Sequence, residues 1–104
     1  MAKYLYVYHG GGKAESDAEL KESMDAWGAW FGSMGAAVID GGNPVGMSST
    51  VQSDGSVKND GGANPASGYS LIEAADLDEA LAKAKACPIL SVGGSVEVAE
   101  AFDM

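Results

Sequence analysis

Tyrosine alternates with smaller apolar residues through "KYLYVYH" (Lys3 to His9). This period of two predicts a β-strand with Leu5 and Val7 on one face and Tyr4, Tyr6 and Tyr8 on the other. The glycines Gly10 to Gly12 then predict a turn. The period next becomes helical. Leu20, Met24, Trp27, Phe31 and Met34 follow one another at spacings of 4, 3, 4 and 3, the apolar stripe of an amphipathic helix running from about Ser16 to Met34. Trp30 flanks that stripe. Ser16-x-x-Glu19 is a capping box at its start, and Gly35 supplies its stop. Ala36 to Gly42 reads as a short strand leaving the helix.

From Gly41 to Gly68 the pattern dissolves into Gly, Ser, Asn, Asp and Pro. A bare loop of that length is uncommon in a compact domain. A hairpin is therefore expected inside it, with Val45 to Gln52 as one arm, Asp54-Gly55 as the turn and Ser56 to Lys58 starting the return. Asn59 to Gly68 follows as an irregular lid. Gly68 to Ala75 is a strand, and a second capping box, Asp76-x-x-Glu79, opens a helix with Leu77, Ala80, Leu81 and Ala84 inward. Pro88 prevents that helix from passing far beyond Cys87. A last strand covers Gly94 to Phe102.

The order is β-α-β-hairpin-β-α-β, the ferredoxin-like split β-α-β arrangement of an α+β protein with a four-stranded antiparallel sheet. Two helices cover one sheet face only. With Leu5 and Val7 under the helices, Tyr4, Tyr6 and Tyr8 would stand on the open face, joined there by Tyr69 and Leu71. An aromatic patch facing water is unusual on a monomer. A second copy packed sheet against sheet would cover it, which predicts a homodimer through the open face.

The 104 residues suffice for one domain, spanning 1–104, with no internal repeat and no linker. The net charge of −9 repels phosphate backbones and anionic lipid, so neither nucleic acid nor a membrane surface is an expected partner. No apolar run is long enough to span a bilayer, and the N-terminus reads as a strand rather than a signal peptide. Cys87 is the single cysteine, which makes a reducing, cytoplasmic setting the expectation. One His and one Cys cannot build a structural zinc site within one chain, and no metal or other cofactor is expected.

Three stretches resemble the YCII-related (DGPF-domain) family of the dimeric α+β-barrel superfamily: "KYLYVYHG", "WGAWFGSMGAAVIDGGNP" (Trp27 to Pro44) and "GYSLIEAADLDEALAKAKACP" (Gly68 to Pro88). "GSVEV" near the end is similar to the family's terminal strand. The resemblance covers nearly the whole chain and implies a dimeric α+β barrel with a small-molecule pocket. "NDGG" (Asn59 to Gly62) stands where many relatives have DGPF. The first helix lacks the histidine that some relatives pair with an aspartate, so that dyad is not carried over. Relatives with activity catalyse isomerisation or elimination, which implies cofactor-free isomerase- or lyase-type proton transfer on a small organic acid.

The residues themselves offer few candidates for such chemistry. His9 is the sole imidazole, so a histidine base working near neutral pH must be His9; the alternative is a surface or core-edge residue. Asp40, ending the second strand, is a candidate orienter for His9 and equally a turn-former. Tyr6 or Tyr8 would donate a hydrogen bond to substrate. Trp30 and Asp25 complete the candidate ligand-binding set, with core packing and solvation as their respective alternatives. The pocket is expected between the open sheet face, the first helix and the 41–68 loop. A non-catalytic accessory or interaction module is the competing reading. "HGGG" is not an esterase oxyanion loop, for no Gly-x-Ser-x-Gly elbow accompanies it, and "GGGKAES" lacks the spacing of a Walker A motif.

Overall fold

The structure, a computed structural model, describes residues 1–11 and 15–103. Gly12 of the expected glycine turn lies outside them. The chain forms an α+β fold: a four-stranded antiparallel sheet, two helices, and a separate two-stranded hairpin. In chain order the elements are β1 (Ala2–His9), α1 (Asp17–Met34), β2 (Val38–Asp40), β3 (Thr50–Val51), β4 (Val57–Lys58), β5 (Ala66–Ala74), α2 (Leu77–Ala84) and β6 (Ser95–Ala101). The sheet order is β2-β5-β1-β6, so each helix crosses over one intervening strand. That order is compatible with the ferredoxin-like arrangement.

Local chemistry sets most boundaries. Ser16 Oγ accepts the Glu19 N–H at 3.1 Å, and Glu19 reaches back to the Glu15 N–H at 2.8 Å. Asp76 caps α2 through the Glu79 N–H at 2.9 Å. Gly35 closes α1 at φ 54°, its N–H bonded to the Phe31 carbonyl. In the hairpin, Asp54 Oδ1 accepts both the N–H and the hydroxyl of Ser56, which draws its carboxyl below the usual aspartate range. Gly55 takes φ 89° at the tip.

The sheet is oriented opposite to the sequence expectation. Tyr4, Tyr6 and Tyr8 are buried beneath the helices, Tyr6 completely, while Leu5 and Tyr69 are 36% and 37% exposed. The pairing registers place Leu5 opposite Leu71 and Val7 opposite Tyr69 on the uncovered face. Alternation fixes which residues share a face, and partners for the phenol groups decide which face goes inside. The Tyr6 hydroxyl donates to the Ala80 carbonyl of α2, and Tyr8 donates to Ser70 Oγ at 2.7 Å. A tyrosine so paired buries more apolar surface than leucine or valine without leaving a polar atom unmet.

The helix stripes shift for the same reason. Trp30 and Met34 are the buried residues of α1, and the Trp30 indole lies 6.0 Å from the Tyr6 ring and donates to the Lys83 carbonyl at 3.0 Å. Leu20 and Met24 stand mostly exposed, because the first half of α1 extends past the core. On α2, Ala80 and Ala84 face the sheet whereas Leu77 and Leu81 are largely exposed. Small residues bring that helix within reach of the Tyr6 hydroxyl.

Candidate functional site

Where α1 overhangs, it leaves a cleft of about 480 Å³ on the helix side of the sheet. Met24, Trp27 and Phe31 form one wall; Gly41 to Pro44 and Ser67 to Tyr69 form the other; Tyr8 and Ile89 close the end. The second wall is built as an added strand along β5. Pro44 bridges Gly68, the Val45 N–H donates to the Ser67 carbonyl at 3.0 Å, and the Tyr69 N–H donates to the Asn43 carbonyl at 3.2 Å. Gly42 permits this approach. It sits at φ 71°, and a β-carbon there would lie 1.7 Å from the Tyr69 carbonyl oxygen.

The cleft is floored by a hydrogen-bond relay. Tyr8 donates to Ser70 Oγ, and Ser70, wholly buried, donates to the Gly41 carbonyl at 2.7 Å. Burial raises the Tyr8 pKa above the usual tyrosine range, so the phenol stays neutral. One hydroxyl beside this relay is uncommitted. Ser67 Oγ is shielded from solvent and has no hydrogen-bond partner among the described residues. The register explains why it is there: Tyr8 pairs with Gly68 and His9 with Ala66, so Ser67 is the extra residue of a β-bulge, a device that re-aims a side chain.

His9 lies elsewhere. On the open-face side of β1, its Nδ1 meets the Asn64 and Pro65 carbonyl oxygens at 2.9 and 3.2 Å, and its Nε2 meets Glu97 Oε1 at 2.9 Å. Every partner is an acceptor, an arrangement best satisfied by a doubly protonated ring. The Glu97 hydrogen bond, foremost, raises the His9 pKa, and the two carbonyls add to it while burial opposes.

The predicted site residues therefore divide. Tyr8 lines the cleft. Tyr6 is core, its hydroxyl held by Ala80 and its pKa pushed up to about 12 by burial. Trp30 is core as well; Trp27, one turn away, takes the place expected for it. Asp25 is exposed and pairs with Lys21 at 2.9 Å. Asp40 does not pair with His9: its Oδ1 accepts the Gly42 N–H at 2.8 Å, the turn role. The cleft lies on the helix side rather than against the open sheet face. Asn43, Pro44 and Ser67 escape sequence reasoning because nothing in the sequence announces the bulge or the bridge to Gly68. Cys87 is buried, and burial pushes its thiol up to about 11.

Among the described residues no three His, Cys, Asp or Glu side chains gather as a metal site, and no helix is long and apolar enough to cross a membrane. No protein-family model matches the chain, and no curated protein matches it.

Proposed function

We propose that this protein binds a small organic molecule in the cleft between α1 and the Gly41–Pro44 segment. In this reading it acts as a YCII-like homodimer joined through its uncovered sheet face, in a reducing, cytoplasmic setting. The cleft carries the proposal. It falls in the roughly 300–1,000 Å³ range of small-molecule sites, and aromatic and apolar side chains wall it. Its loop wall is anchored by the buried Ser70 relay rather than left mobile.

The arrangement favours binding over catalysis. Proton transfer by histidine needs a nitrogen free to accept a proton and within reach of substrate. Both His9 nitrogens face acceptors, and the ring does not line the cleft. The non-catalytic reading is thus better supported than the isomerase- or lyase-type one.

The two indole N–H signals test the site by NMR. Trp27 lines the cleft, whereas Trp30 is buried and bonded to the Lys83 carbonyl. In a screen of small organic fragments, those that bind should shift the Trp27 signal and leave Trp30 nearly still. A broad fragment set that leaves Trp27 unmoved at millimolar concentration overturns the proposal.

A further inference from the structure

We infer that the ligand is an uncharged, planar aromatic molecule carrying one hydroxyl, and that the Ser67 hydroxyl is the group that recognises it. The inference rests on the binding reading above and narrows it to a chemical class.

Three observations carry it. First, the helix-side wall is aromatic. Trp27 sets its ring at 83° to Tyr8, with centroids 4.9 Å apart, and lies 5.9 Å from Phe31. Ring faces and edges so arranged favour a planar guest over a branched one. Second, among the described residues no Lys, Arg, His, Asp or Glu lines the cleft. An ionised ligand would lose hydration there with no counter-charge from the described lining, and the chain's net charge of −9 adds repulsion against anions. This disfavours the organic acid that the family resemblance implies.

Third, Ser67 Oγ is the shielded hydroxyl without a partner. Nearby, Ser70 joins Tyr8 to Gly41, and the Asn43 amide donates to the Tyr69 hydroxyl at 3.2 Å. The Ser67 carbonyl is pinned by the Val45 N–H, which leaves its side-chain torsion as the free coordinate. Ser67 itself lines the cleft, so on this inference a ligand in the cleft supplies the partner that its hydroxyl lacks. A serine hydroxyl both donates and accepts, which suits a ligand hydroxyl that does the same.

A probe series built on one ring system tests the class: 2-naphthol, naphthalene, 2-naphthoate and 2-naphthylmethylamine, titrated at neutral pH while the Trp27 signal is followed. 2-Naphthol should bind tightest, naphthalene about 3- to 10-fold more weakly, and both charged probes more weakly still. Ser67→Ala should weaken 2-naphthol by about 3- to 10-fold and leave naphthalene unchanged. Since that hydroxyl has no partner among the described residues, the variant should fold, and its urea midpoint verifies this. Tighter binding of either charged probe, or an unaltered 2-naphthol affinity in Ser67→Ala, overturns the class while Trp27 still reports an occupied cleft. If neither these probes nor the fragment set moves Trp27, the binding reading falls with it.

Discussion

His9 shows how much a single side chain's surroundings can change the meaning of its type. A lone histidine at a strand end invites a catalytic role, yet its three partners are two carbonyls and a carboxylate. It works instead as a clamp that holds the Asn64–Pro65 backbone beside β1 and ties β1 to Glu97 of β6. The raised pKa has a definite consequence for stability. Protonated His9 is favoured in the folded state, so its contribution is complete below the unfolded value of about 6.5. It is lost as pH rises through the higher folded value. The His9 side chain is 11% exposed but Glu97 is 65% exposed, which holds the effect to about 1 kcal/mol or less. Urea unfolding across this pH range should show stability falling as pH rises, and Glu97→Gln should flatten the slope. A stability that climbs through the window would contradict the clamp.

At the scale of elements, polar contacts rather than the apolar pattern decide how the layers meet. Tyr6 and Trp30 both end on α2 carbonyls, at Ala80 and Lys83, and the Tyr8–Ser70–Gly41 relay sets the loop wall of the cleft. Ser70→Ala would strand a buried phenol hydroxyl and the Gly41 carbonyl together. The expected loss is about 2–3 kcal/mol in urea unfolding, with the Trp27 signal shifting as the loop wall relaxes. An unchanged midpoint would mean the relay carries no weight. These contacts also mark where sequence reading stops. The Ser16 and Asp76 N-caps, the Gly35 stop and the Asp54-Gly55 turn are local signals, and each is legible, as is the order of elements along the chain. The inside face of β1 is not. It depends on Ala80, 74 positions from Tyr6, and on a bulge at Ser67 that no local signal announces. The same dependence hid Trp27 behind Trp30, since helical spacing does not reveal how far α1 overruns the sheet.

The whole molecule is a slab of 43 × 41 × 18 Å, thick enough for one helical layer on one sheet. Its other sheet face stays uncovered. Although the tyrosines turn inward, that face is still apolar at its centre, where Leu5 opposes Leu71 and Val7 opposes Tyr69. Charges border the centre: Lys3 stands opposite Glu73 at one end, and Glu97, the β6 partner of Val7, pairs with His9 toward the other. An apolar middle with a charged margin is the layout of an interface that excludes water at its centre. The homodimer proposed above therefore keeps Tyr69 and Leu71 from the patch the sequence suggested and rests on Leu5 and Val7 in place of the three β1 tyrosines. Leu5→Lys places an ammonium at the centre of the sheet-to-sheet contact without touching the cleft, which Leu5 does not line. In light scattering at micromolar concentration the parent chain should have the mass of two copies and Leu5→Lys that of one. Val57→Lys on the hairpin, also at an exposed valine, should leave the mass at two. A parent chain of single mass, or a Leu5→Lys variant that remains double, would remove the sheet face as the interface.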